Sequence, residues 1–190
     1  MDRFSTPYCK DDIKEDLSEQ KICVLDALTQ IANRRKFDLM FSQAINKSKM
    51  TVSYLSILMI EIDYFKKLNT VTGLLSSDDC LRMLASTLKD TLKRSGDLAA
   101  RWDREKFACI LSDTDPAGAA KMAEKIRKKV IDLAIPNAAS PVAKVVTVSI
   151  GVVTSILTDE TSYDSLLKKA DQALTTAKEM GHNLIFINQD

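Results

Sequence analysis

Three features of the sequence predict an α+β fold, a mixed sheet with helices packed on it. Helical and extended patterns alternate along the chain. Two extended runs stand back to back in its middle, as a hairpin requires. No internal repeat or low-complexity linker divides it.

The elements follow in order. Residues up to Lys21 are polar and read as a frayed helix or connector, so residues 1–25 are taken as a connecting segment and residues 26–190 as the domain. In "DALTQIANRRKFDLMFSQAINKS", Phe37, Met40, Phe41 and Ala44 fall at helical spacing, with Asn33 as N-cap. "TVSYLSILMIEID" is rich in β-branched and aromatic residues and reads as a buried strand. "SSDDCLRMLASTLKDTLKR" is a helix with a serine start and Leu81, Leu84, Leu88 and Leu92 on one face. "GDLAARW" and "KFACILS" form the hairpin around "DREK". "DPAGAAKMAEKIRKKVIDLA" is a helix with Pro116 in its first turn. "KVVTVSIGVVTS" is a strand in which Gly151 signals a bulge or a close backbone approach. "SYDSLLKKADQALTTAKEMG" is a helix stopped at Gly181, and "NLIFIN" is the last strand.

Composition excludes several classes. A chain of 190 residues, 45% hydrophobic and 28% charged, is long enough for one real core. A net charge of +1, with cations spread evenly, gives no general pull toward nucleic acid. The longest apolar run, "YLSILMI", is strand length, so no membrane span is expected. The charged start "MDRFSTPYCKDDIKED" lacks an apolar signal core, which suggests a cytoplasmic protein. Cys9, Cys23, Cys80 and Cys109 are far apart and form no CxxC pair, so reduced structural thiols are expected.

Taken alone, Glu61, Asp63 and Glu105 read as three solvated acids at strand ends. Taken together, "DALTQIANRR", "IEIDYFKKLN", "RSGDLAARWDREKF", "VTVSIGVV" and "ADQALTTAKEMGHN" resemble, in order and spacing, the GGDEF domain of the diguanylate cyclase family. The resemblance runs from Asp26 to Asn188. It implies a central, mostly antiparallel sheet flanked by helices, with a nucleotide-cyclase-like, ferredoxin-like core. The implied activity joins two GTP molecules into cyclic di-GMP, each subunit of a homodimer presenting one.

The resemblance also assigns roles. Such nucleotidyl transfer needs acids that hold Mg2+ against phosphates. Glu61, the backbone carbonyl of Ile62 and Glu105 align with the metal ligands. Lys66, Arg101 and Lys178 align with residues near the GTP phosphates, and Asn69 and Asp78 with the guanine-binding pair. Arg94 and Asp97, an RxxD motif, align with the inhibitory site for cyclic di-GMP, with Lys125 where the family has a further arginine.

The sequence departs from the family at its signature, which here reads Asp103-Arg104-Glu105-Lys106-Phe107. A two-residue primed turn would need positive φ at its centre, at a cost of roughly 1 kcal/mol or more for Arg104. Side chains would also enter space that glycine leaves to the nucleotide. Lys106 puts a cation beside the metal ligands. Thr70, Leu74 and Ser77 replace family residues, and His182, the only histidine, stands for an arginine. The expected function is therefore a signalling domain with cyclase activity lost or very weak. It would sense cyclic di-GMP through RxxD. The alternatives are a slow but working cyclase and a nucleotide-free module that binds a protein partner.

Overall fold

The computed structural model describes residues 24–68, 76–158 and 161–188. The connector expected over most of residues 1–25 and the guanine-binding role of Asn69 lie outside them. Helix α1 spans Arg34–Thr51, strand β1 Tyr54–Ile62, the short α2 Phe65–Leu68 and α3 Ser77–Thr91. Strands β2 (Leu98–Arg101) and β3 (Lys106–Ser112) follow, then α4 (Pro116–Asp132), β4 (Val148–Ile156), α5 (Tyr163–Glu179) and β5 (Ile185–Asn188). They form one sheet in the order β2-β3-β1-β4-β5. All neighbours are antiparallel except β4 and β5, so the mostly antiparallel sheet expected above is what the chain builds.

Strand parity explains the layers. On β1, Leu58, Ile60 and Ile62 enter a core shared with Leu81, Leu84 and Leu88 of α3 and Ala123 and Ile126 of α4. Leu55, Ile57 and Met59 point the other way, against Phe37 and Phe41 of α1 and Leu166, Ala170 and Leu174 of α5. A central strand buried on both faces must be apolar almost throughout, hence "YLSILMI".

The helix ends follow their local chemistry. Asn33 Oδ1 accepts from Lys36 N at 3.0 Å. Ser76 and Asp79 form a capping box at α3. Asp115 caps α4 ahead of Pro116, and Ser162 caps α5. Gly181 follows α5 with φ +127°. The turn after α3 is closed by Asp97 N, which donates to Arg94 O at 3.0 Å. Gly151 faces α5, where any Cβ would overlap the backbone of Ala170 and Leu174. The close-approach alternative is the one realised. Cys80 and Cys109 are free, buried thiols, and burial pushes Cys80 up to about 12. Among the described residues no helix is long and apolar enough to cross a membrane.

Candidate functional site

The residues at the ends of β1 and β3 meet because the two strands pair in register. Glu61 stands directly across from Lys106. Both share the face of Met59 and Ala108, which α5 covers. From α5, Asp171 and Lys178, two turns apart, reach the same spot. Lys178 Nζ lies 2.5 Å from Glu61 Oε1. Lys106 Nζ lies 2.7 Å from Asp171 Oδ1 and 3.9 Å from Glu61 Oε2. The result is a four-member ion network, with an ammonium on each oxygen of Glu61. Sequence reasoning took Lys178 from this helix and missed Asp171, which lies in the same quoted stretch two turns earlier on the same face.

The signature loop occupies residues 102–105. The amides of Trp102 and Asp103 both donate to Lys106 O, at 2.8 and 3.1 Å. The loop is thus wider than a two-residue primed turn. Neither Asp103 nor Arg104 is among the residues with positive φ, which corrects the backbone strain expected at Arg104. Glu105 O accepts from Ile62 N at 3.2 Å, tying the loop to the end of β1. Phe107 is fully buried and anchors the start of β3. A cleft of ≈550 Å³ remains, lined by Glu61, Lys66, Asp103, Arg104, Glu105 and Lys106. Such a volume suits a small molecule.

Arg101 does not enter that cleft. Its guanidinium reaches Asp26 Oδ1 at 3.1 Å and Arg104 O at 2.9 Å. Burial works against the Asp26 carboxylate, but bonds from Thr29 and Arg101 hold its pKa below the usual value. Asp26 and Arg101 therefore pin the loop before α1 to the edge strand, where Arg101 N also donates to Ala32 O at 2.8 Å. Asp78 is exposed in the first turn of α3.

The donor set does not fit a divalent cation as arranged. Among the described residues no group of three or more acidic, histidine or cysteine side chains could hold a metal. Asp63, grouped above with the solvated acids, is 1% exposed. Its oxygens accept from Thr147 Oγ1 and Ser149 Oγ at 2.7 Å and from Asn183 N at 2.9 Å. Glu61 already carries two ammonium groups. A divalent ion about 4 Å from one of them would meet repulsion on the order of 8 kcal/mol at an effective dielectric constant of 20. Only Glu105 is left without a partner among the described residues.

Around Asp63 the backbone takes unusual forms. Tyr64, His182 and Asn183 have φ of +53°, +63° and +52°. The His182 ring stacks on Tyr64 at 4.5 Å between centroids, and His182 N donates to Ala177 O. The histidine thus belongs to the helix end, with its ring packed on Tyr64. Asn183 Oδ1 accepts from Arg127 Nη1 at 2.7 Å, which links α4 to the end of β1 through Asp63.

The RxxD pair lies on the turn after α3, away from the cleft. Arg94 is exposed and donates to Thr114 Oγ1 at 3.0 Å. Asp97 faces inward: both carboxylate oxygens are shielded and neither makes a well-formed hydrogen bond, the Ser112 amide being at most a weak partner. Burial pushes this carboxyl up, with the Arg94 charge and the Ser112 amide only partly opposing. Lys125 is exposed on α4, in a shallow groove with Lys121, Glu124, Lys128 and Asp132 whose lining includes neither Arg94 nor Asp97.

Known proteins share this framework. The family model "Diguanylate cyclase, GGDEF domain" matches residues 23–184. Diguanylate cyclase A of Treponema denticola is 36% identical over 146 residues, 77% of this chain and 38% of that protein. The chain therefore spans little more than a third of that relative's length. The coiled coil and GGDEF domain of DgcB from Caulobacter crescentus, solved in complex with c-di-GMP, superposes with a TM-score of 0.80 at 24% identity, covering 94% of this chain and 93% of that one. Diguanylate cyclase SiaD from Pseudomonas aeruginosa, solved with its activator SiaC, gives a TM-score of 0.78 at 26% identity, covering 94% and 67%. With the family model spanning nearly all of the described sheet and helices, the chain belongs to the GGDEF, diguanylate cyclase family.

Proposed function

We propose that this domain does not synthesise cyclic di-GMP but senses it through Arg94 and Asp97. One observation carries the reading: a carboxylate shielded from water, with no well-formed hydrogen bond, sits beside an exposed guanidinium on one turn. Buried acceptors without partners are costly and call for an explanation. A guanine edge offers paired N–H donors for the carboxylate, and the arginine can fork onto the base or a phosphate. Asp97 would turn outward to meet it, exchanging an unsatisfied position for a bonded one. Lys125 would add charge only after a shift of α4 or from a second ligand molecule.

The loss of synthesis rests on the cleft. Glu61 is neutralised by Lys178 and Lys106, and Lys106 occupies the position of a signature acid. Magnesium, which the family reaction implies, would have to displace two ammonium groups to reach Glu61.

Calorimetry with cyclic di-GMP tests the sensor. Binding in the wild type and its loss in Arg94→Ala is the expected result; binding unchanged in that variant refutes it. Incubation with GTP and Mg2+ or Mn2+ tests the lost synthesis, and release of cyclic di-GMP or pyrophosphate would reject it.

A further inference from the structure

The two edges of the sheet are finished differently. At β2 the chain covers its own edge: Ala32 bridges Ala100, and Ala32 O accepts from Arg101 N at 2.8 Å. At β5, the other edge, no further strand or bridge follows among the described residues. Ile150 of β4 pairs with Ile185, and its amide donates to Leu184 O at 2.9 Å. In a parallel ladder a residue bonds to the two neighbours of its partner, so Leu184, Phe186 and Asn188 turn their backbone polar groups toward β4. The N–H and C=O groups of Ile185 and Ile187 therefore point outward. Among the described residues no backbone bond outside the strands takes them.

Open edges are ordinarily blunted by a charge, a proline or a bulge. The run Leu184-Ile185-Phe186-Ile187-Asn188 has no charge and no proline, and it pairs with β4 residue for residue, without a bulge. β4 also outruns it: the pairing stops at Val153, while β4 continues to Ile156. A groove of ≈400 Å³ opens at that step, with Tyr54, Pro116, Ile156 and Ile187 in its lining. Tyr54 and Ile156 stand directly across from each other and are 39% and 43% exposed. Unpaired ladder groups call for another extended backbone, and the apolar step beside them calls for an apolar side chain.

We infer that the β5 edge binds an extended segment of a partner protein, which adds a strand to the sheet and seats an apolar side chain in the groove at the end of β4. A second copy of this chain fits less well: β5 is four residues long, whereas a stable dimer takes roughly 20 to 30 residues a side. A peptide needs only the ladder and one anchor. Neither Arg94, Asp97 nor the cleft takes part.

The probe is a short fluorescein-labelled peptide of alternating threonine and leucine with a lysine at each end, titrated by anisotropy. Saturable binding to the wild type is expected, with slowed hydrogen exchange at the Ile185 and Ile187 amides. Two versions N-methylated at alternate residues, one in each phase, keep every side chain; the one that loses the donors facing β5 should bind about tenfold or more weakly. Ile187→Pro removes an outward N–H that β4 does not use and should have the same effect. Ile156→Asp, at an exposed position, should weaken binding and leave the melting temperature near that of the wild type. If the proline variant fails to fold, the methylated peptides and Ile156→Asp still decide. No saturable binding overturns the inference, as does undiminished affinity for both methylated peptides or in Ile156→Asp. A concentration-dependent dimer that Ile187→Pro dissolves, seen by analytical ultracentrifugation, would give the edge to a second copy and overturn it as well.

Discussion

Glu61 and Lys178 meet 2.5 Å apart across the junction of the central strand and the helix that covers it. Their side chains are only 18% and 33% exposed. The pair joins β1 to α5 at the mouth of the cleft, so it acts on stability as well as on ligand choice. A double-mutant cycle with Glu61→Gln and Lys178→Met should give a coupling energy of about 1 kcal/mol, above the low end seen for exposed pairs. Urea unfolding measures it. Additive losses would show that the two charges do not feel each other.

Much of this arrangement was legible in the sequence. Apolar, β-branched runs and helical spacing gave the order of elements, and Asn33, Pro116 and Gly181 marked helix ends with chemistry that is local. The resemblance gave the sheet and drew attention to Glu61, Glu105 and Lys106. Tertiary partners were not legible. That Glu61 would be held by two lysines depends on β1–β3 register and on the face of α5 turned to the sheet. That Asp63 would be buried and Asp97 turned inward depends on packing, because acids at strand ends look alike in sequence. The loop conformation at Asp103 and Arg104 was misread since four connecting residues, rather than two, relieve the need for positive φ.

Asp63 is a structural acid and its loss should be severe. Three donors, from the residue before β4, from β4 and from the turn after α5, converge on it in a site that is 1% exposed. Asp63→Ala strands the hydroxyls of Thr147 and Ser149 and the amide of Asn183. A loss of roughly 3 kcal/mol or more is expected, since bonds to charged acceptors are among the strongest and buried donors are costly to orphan. The urea midpoint should fall with its slope unchanged. Because Arg127 reaches Asn183, Arg127→Ala should cost less and be partly redundant with Asp63→Ala.

Val52 should be a site of easy gain. It ends α1 with φ +50° and is 72% exposed, so a β-branched residue holds a left-handed form with nothing packed on it in return. Its amide still donates to Ser48 O, a bond that glycine would keep. Val52→Gly should stabilise the domain by about 1 kcal/mol, because relief of the backbone strain outweighs the added freedom of the unfolded chain. Thermal unfolding would show a higher midpoint; a lower one would mean that the valine side chain contributes more than its exposure indicates.

Asp97 gives the domain a pH dependence whose sign is fixed by its surroundings. Burial raises its folded pKa above the ordinary 3.8. Below 3.8 the group is protonated in both states and exerts no penalty. As pH rises through the folded value, the unfolded chain has already released the proton and the folded chain is forced to follow, so stability is lost. At neutral pH the wild type therefore carries a buried charge that Asp97→Asn lacks. The variant should unfold at a higher temperature than wild type at pH 7, and the difference should shrink toward pH 4 or below. Cyclic di-GMP supplies the missing test of cause. Guanine N–H donors on the carboxylate favour its charged form, so saturating ligand should flatten the wild-type pH profile and leave that of Asp97→Asn unmoved. A wild-type profile that keeps its slope when ligand is bound would place the dinucleotide away from Asp97.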